Sequence, residues 1–350
     1  MITRIEIIKD AKKDIGLIKQ AAEDIKAGKL VAFPTETVYG LGADGLNKEA
    51  VEKIYLAKGR PSDNPIILHV DSIAMLERLV KEIPKEAYIL INRFWPGPLT
   101  LVLKKSDIVP DIITAGLDSV AIRMPSNPIA LALIKESNTP IAAPSANTSG
   151  RPSPTRAEHV IEDMDGRISF IIDGGETGVG LESSVIDLTE RIPMILRPGG
   201  ITIEQIKEEL PNVVIDPALL ENDNKILIPK SPGQKYRHYA PKAEMIVYIG
   251  KREKRVKEIL ARANKEKVLG KNVGIMCFEE NKENFKEFSQ IVMGSEKDKE
   301  AIAHGLFNAL RKFDEWNVGI ILCEGTDEGN IGMAIMNRLE KASGGNMVYV

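Results

Sequence analysis

Cysteine is nearly missing from this sequence. The 350-residue chain has two, Cys277 and Cys323, far apart in its last third and with no CxxC pair. That spacing excludes the usual structural zinc frameworks and gives no support to a disulfide scaffold. Histidine is also scarce, and the four residues at 69, 159, 238 and 304 have no metal-ligand spacing. A Walker A loop, a GxSxG elbow and a Cys/His arrangement for covalent catalysis are all absent. No run approaches the roughly 18 apolar residues that a membrane span requires. The charged N-terminal stretch MITRIEIIKDAKKD lacks a signal peptide's apolar core, so a cytoplasmic location is expected. Neither sign of charge prevails: 47 Lys and Arg against 50 Asp and Glu leave a net charge of −3. Any polyanion must therefore meet a local positive field.

What is present is a soluble globular composition, 43% hydrophobic and 28% charged, which excludes disorder as the main state. The length predicts two domains. In the first, short apolar runs alternate with helical periodicity. Strands are expected at Leu30–Phe33, Ile66–Val70, Leu99–Leu103, Val120–Met124, Ile141–Ala143, Ser169–Ile172 and Ser184–Leu188. Residues 47–58 read as a helix capped by Asn47 and stopped at Gly59 and Pro61. Short strand-to-strand connections point to an α/β domain with a mixed sheet, ending near residue 210.

The stretch Lys225–Ala243 differs in kind: it holds Lys225, Lys230, Lys235, Arg237 and Lys242, three prolines, and no acidic residue. It reads either as a solvated interdomain linker or as a basic segment, with Tyr236, His238 and Tyr239, that lies across an anionic ligand. Beyond it, strands at Ile246–Ile249, Val273–Phe278 and Val318–Cys323 alternate with helices at Glu253–Lys265, 299–315 and from about Ile331. That alternation predicts a smaller, Rossmann-like, doubly wound domain.

Polar residues collect at strand ends, where open α/β sheets place ligand groups. FPTETVYGLG sets Thr35, Glu36, Thr37 and Tyr39 directly after a strand. Read as a capped turn, the same segment uses Gly40 and Gly42 for backbone freedom. In AKGRPSDNP, Lys58 and Arg60 sit at a helix end with Asn64 close by, suited equally to complementing the helix dipole or to holding a triphosphate. SVAIRMPSNP begins with Ser119 and carries Arg123, read either as a cation for a carboxylate or as half of a structural ion pair. PIAAPSANTSGRPSPT offers Ser145, Asn147, Ser149 and Ser153 on a backbone stiffened by four prolines. GLESSVIDL and ILRPGG add Ser183, Ser184 and Arg197.

In order and combination these segments resemble the threonylcarbamoyl-AMP synthases, with their YrdC-like fold, in the longer two-domain form. FPTETVYGLG, Lys58-x-Arg60 and Ser145-x-Asn147 match the K-x-R and S-x-N signature, and SPGQKYRHYAP matches the interdomain linker. The resemblance spans the whole chain. It implies a YrdC-like twisted mixed-sheet domain over 1–210, a linker that doubles as an active-site lid over 211–243, and a small Rossmann-like domain over 244–350.

The reaction so implied converts L-threonine, bicarbonate and ATP to threonylcarbamoyl-AMP, pyrophosphate and water. By resemblance, Thr37, His69, Arg123, Ala143 and Ser183 hold threonine; Lys58, Arg60, Asn64, Ser119, Ser145, Asn147, Ser153 and Arg197 surround ATP. Lys58 and Arg60 carry the catalytic charge. Tyr236, Arg237 or His238 reaches the nucleotide from a cover formed by residues 231–241. Mg²⁺ is expected through ATP, without a protein metal site. His69, within IILHV, has the alternative of a structural residue. Downstream threonylcarbamoyl-transfer proteins are the implied partners, and a weak tRNA contact is allowed. The same cations would also serve an RNA-binding module or an ATP-dependent regulator.

Overall fold

A computed structural model describes residues 2–219 and 238–350. They cluster into two units: residues up to Ser149 with those from Ser153 to Leu219, and Gly150–Pro152 with those from His238 onward.

The described strands of the first unit are β1 (Arg4–Ile7), β2 (Val31–Phe33), β3 (Gly40–Asp44), β4 (Leu68–His69), β5 (Leu99–Lys104), β6 (Ser119–Arg123), β7 (Ile141–Ala142), β8 (Phe170–Asp173), β9 (Ser184–Asp187), β10 (Met194–Arg197) and β11 (Val214–Ile215). They form one sheet in the order β1-β8-β2-β3-β7-β4-β6-β5-β9-β10-β11. Antiparallel pairs such as β5–β6 alternate with parallel pairs such as β4–β6 and β5–β9, which makes the sheet mixed. β11 adds to β10 in parallel, so the sheet takes in residues beyond 210. The accompanying helices are α1 (Ile15–Lys26), α2 (Lys48–Lys58), α3 (Ile73–Leu79), α4 (Lys85–Phe94), α5 (Asp111–Thr114), α6 (Pro128–Ser137), α7 (Ala157–Met164) and α8 (Ile203–Glu209).

Two local features carry the site. In α2 the Asn47 side chain accepts a hydrogen bond from the Ala50 amide, Val51, Ile54 and Tyr55 are buried, and Gly59 ends the helix in the left-handed region at φ 60°. Lys58 is thereby brought in as the last, buried residue of that helix. The second feature corrects the turn reading of Gly40 and Gly42. Both lie in β3, antiparallel to β2. A Cβ at Gly42 would stand 2.9 Å from both the Ile141 side chain and the Phe33 ring. Glycine is needed there for space rather than for a special φ.

The second unit holds β12 (Glu244–Ile249), β13 (Val273–Cys277), β14 (Ser289–Val292), β15 (Ile320–Glu324) and β16 (Met347–Tyr349), with helices α9 (Arg252–Val268), α10 (Lys299–Glu315) and α11 (Gly332–Ser343). Its sheet is parallel throughout, in the order β14-β13-β15-β12-β16. Parallel neighbours require crossover connections, and the helices between the strands supply them. Ile246, Ile259, Ile275, Phe285, Ile320 and Leu322 pack as one apolar cluster. Inside this unit Arg311 donates to the Pro152 carbonyl at 2.7 Å and the Ala240 amide to that of Gly150 at 2.8 Å.

At the end of β15 the fully buried Glu324 accepts from Arg255 Nε at 2.9 Å, the Phe278 amide at 2.8 Å and Asn281 Nδ2 at 2.7 Å. Removing the carboxylate leaves the Arg255 guanidinium with Glu296, 2.9 Å from its Nη2, as its remaining carboxylate partner, and leaves the Phe278 amide and Asn281 Nδ2 without this acceptor, which costs roughly 1–3 kcal/mol for each buried group. Glu324→Ala is expected to lower the urea stability of the second unit in the full chain by roughly 2–4 kcal/mol through these lost acceptors. Glu324→Gln, which retains an acceptor, should lose less. Unfolding curves for Glu324→Ala that coincide with wild type would contradict this account of the unit.

Candidate active site

Arg123 ends β6, where it registers with His69 on β4. Across β5–β6, Leu101 registers with Ile122, which brings Thr100 level with Arg123 one step on. His69, Arg123 and Thr100 thus form a polar row across β4, β6 and β5. Arg123 is 3% exposed. Its Nε donates to the Gly97 carbonyl at 3.2 Å and its Nη1 to Thr37 Oγ1 at 2.8 Å, while Nη2 lies 2.7 Å from Glu36 Oε1. Thr35 and Thr37 share a 2.8 Å hydroxyl contact. On the other side of the row Thr100 and Ser183 share another, also 2.8 Å. Arg197 then grips the Ser183 carbonyl from Nε at 3.0 Å and Nη2 at 2.9 Å. Ala143 follows β7, and its amide donates to the Ile67 carbonyl at 3.0 Å. Thr37, His69, Arg123 and Ser183 are therefore brought together, with Ala143 just past the end of β7.

Lys58 faces a second group. Its Nζ donates to the Ser145 carbonyl and, at 2.5 Å, to the Asn147 carbonyl, while the Ser149 amide returns a bond to the Lys58 carbonyl at 2.9 Å. The lysine thus fastens the S-x-N loop to the end of α2. The loop is also laced to the segment after β2. The Ala146 amide donates to the Tyr39 carbonyl and the Tyr39 amide to that of Pro154, each at 2.8 Å. Ser153 donates its hydroxyl to Glu182 at 2.6 Å. Arg60 Nη2 reaches the Asn64 and Pro65 carbonyls at 3.2 and 3.3 Å. The Asn64 side chain is fully enclosed, and neither of its polar atoms has a partner.

Other expected residues stand apart. Ser119 begins the strand that Arg123 ends, a separation of about 13 Å at ~3.3 Å per residue. His238 belongs to the second unit, its ring 5.7 Å from that of Tyr239. Tyr236 and Arg237, with most of the expected 231–241 cover, lie outside the described residues. Thr100 and Glu182 join the site although the sequence reading does not place them in it, and Glu36, noted there only within its strand-end segment, joins as the ion-pair partner of Arg123. Thr100 is a buried hydroxyl in the apolar run LTLVLK, and that mismatch is the signal it leaves in the sequence.

Burial acts on the two titratable groups beside Arg123. It works to raise the Glu36 pKa, but the Arg123 guanidinium outweighs it and holds the carboxyl below its ordinary value. His69 is pushed down to about 3, first by burial and then by the Arg123 charge. At neutral pH the row therefore holds an anionic Glu36 and an uncharged His69 beside the guanidinium. Among the described residues no three or more His, Cys, Asp or Glu converge on a metal position, and no helix is long and apolar enough to cross a membrane.

Residues 23–199 match a family model described as telomere recombination, which covers the Sua5, YciO and YrdC proteins. Residues 201–344 match a second model, the C-terminal domain of threonylcarbamoyl-AMP synthase. The threonylcarbamoyl-AMP synthase of Pyrococcus abyssi is 52% identical over 95% of this chain and 96% of its own. That of Bacillus subtilis is 49% identical over 95% and 94%. The crystal structure of P. abyssi Sua5 complexed with L-threonine superimposes with a TM-score of 0.91 at 50% identity, covering all of both chains.

His69 gives the site a pH signature. A histidine held uncharged when folded but free to protonate when unfolded stabilises the fold fully above its ordinary value of 6.5, and that contribution falls as pH drops toward about 3. The slope is about 1.4 kcal/mol per pH unit. Denaturant titrations from about pH 7.5 to 5 should show wild type losing stability more steeply than His69→Gln by up to that slope. Parallel slopes would show that the ring protonates freely in the folded protein.

Proposed function

The chain belongs to the threonylcarbamoyl-AMP synthase family in its two-domain form, and from this premise we infer that it makes threonylcarbamoyl-AMP from L-threonine, bicarbonate and ATP, releasing pyrophosphate. The observation that carries this reading is the buried Arg123, held by Thr37 and level with Thr100, beside a loop fastened by Lys58. In this reading one cation, Arg123, takes the amino-acid carboxylate while another, Lys58, borders the S-x-N loop.

The threonine amine and bicarbonate combine to a carbamate, whose oxygen attacks the α-phosphorus of ATP as pyrophosphate leaves. No protein nucleophile is required. The work is to hold mutually repelling anions in line and to stabilise charge that spreads onto phosphate. In this reading Arg123 takes the threonine carboxylate, and Thr37, His69, Ala143 and Ser183 frame the amine and side chain. Lys58, Arg60, Asn64, Ser145, Asn147, Ser153 and Arg197 surround the phosphates and ribose, and Ser119 lies toward the far end of the nucleotide. Mg²⁺ arrives on the ATP phosphates rather than in a protein cage. The acyl-adenylate then passes, in the cytoplasm, to proteins that transfer threonylcarbamoyl to adenosine in tRNA, with at most weak tRNA contact by this chain.

Pyrophosphate release tests the reading directly. It should require threonine, bicarbonate and ATP together and fall to background when any one is omitted. Arg60→Ala should lose about ten- to a hundredfold, because a hydrogen bond to a charged group is worth roughly 1.5–3 kcal/mol and Lys58 and Arg197 remain. Pyrophosphate release that is indifferent to threonine would overturn it.

A further inference from the structure

Arg123 has a carboxylate partner before any substrate arrives. Glu36 Oε1 lies 2.7 Å from its Nη2, and the Glu36 side chain is only 14% exposed. Both carboxylate oxygens are enclosed, with the Arg123 guanidinium and backbone amides as the donors near them. Because Nη1 of the same guanidinium holds Thr37, Glu36 stands at the edge of the amino-acid subsite.

We propose that Glu36 is the proton acceptor of that subsite: when the threonine carboxylate takes its place on Arg123, the Glu36 carboxylate receives a proton from the threonine ammonium. This rests on the function inferred above. An α-amino acid carries its ammonium two bonds from its carboxylate carbon, so a carboxylate seated on Arg123 delivers the ammonium to the guanidinium's neighbours. An ammonium has no lone pair and cannot form a carbamate, so the proton must go before the C–N bond is made.

The groups facing Glu36 leave it as the base. Arg123 from β6 is a cation, and His69 from β4 is pushed down to about 3 by burial and the guanidinium. The Glu36 and Ser126 amides are donors. In the free site Arg123 keeps Glu36 ionised against the effect of burial. Once a substrate carboxylate competes for the guanidinium, that hold weakens while burial persists, and proton affinity rises at the moment the ammonium arrives.

The step balances. The ammonium N–H bond breaks and Glu36 becomes a carboxylic acid. The amine lone pair then attacks the bicarbonate carbon, the C–N bond forms, and hydroxide leaves with the second amine proton as water. The resulting carbamate carries the negative charge that attacks ATP. Glu36 loses its proton to solvent when product departs and Arg123 returns to it.

Glu36→Gln removes the acceptor with little change in shape. With the full chain, kcat/KM for threonine in pyrophosphate release should fall about a hundredfold near pH 7.5, the lower end of the usual contribution of a general base. It should then recover roughly tenfold per pH unit toward pH 9 as free amine is supplied by solution. Glu36→Asp should retain the pH profile of wild type. Calorimetric titration should show threonine still binding to Glu36→Gln, and thermal unfolding should show it folded. A Glu36→Gln profile parallel to wild type overturns the assignment. So does a folded Glu36→Gln that no longer binds threonine, which would make Glu36 a support for Arg123 alone. Wild type without threonine-dependent pyrophosphate release would instead overturn the functional reading itself.

Discussion

A guanidinium buried at the end of a central strand is the constraint around which the first unit is arranged. Arg123 cannot lose its proton, and taking its charge out of water costs several kcal/mol unless partners surround it. The structure answers with a carbonyl at Gly97, a hydroxyl at Thr37 and a carboxylate at Glu36, each from the chain segments next to the sheet. These partners leave the cation oriented and paired, but paired exchangeably, since a substrate carboxylate has the same charge and shape as the one already there. Pre-organisation of this kind places the cost of burying charge in folding rather than in binding.

The Lys58 group uses the opposite arrangement. Lys58 is spent on two loop carbonyls, so it shapes the S-x-N loop as well as charging it. A point charge that ties down backbone fixes where the loop amides and hydroxyls stand, which suits a ligand as extended as a nucleoside triphosphate. Ser153 and Glu182 brace the far end of the same loop. Chemistry without a protein nucleophile depends on such placement, and the buried polar groups are concentrated where it is needed.

Much of this is legible in the amino-acid string because it is local. Asn47 and Gly59 mark α2 by their capping chemistry, and the apolar face of Lys299–Glu315 gives α10 by its period. The K-x-R, S-x-N and FPTETVYGLG segments can be found because each is contiguous. What escaped depends on register. β3 looks like a turn because Gly40 and Gly42 are turn residues by habit, whereas the Phe33 ring and Ile141 make them a close-packed strand. β14 and β16 are short edge strands with weak patterns. Thr100 enters the site because β5 pairs with both β6 and β9, and no periodicity reveals that. Glu36 was visible in its motif, but its role follows from the ion pair.

The central claim is that Arg123 and the Lys58-bound loop hold an amino-acid carboxylate and a nucleotide side by side. A crystal structure of the full chain with L-threonine and a non-hydrolysable ATP analogue measures this directly. The account predicts the threonine carboxylate in hydrogen-bond contact with Arg123 and the α-phosphate facing the S-x-N loop. Threonine bound away from Arg123, or a nucleotide seated on a different face of the sheet, would contradict it.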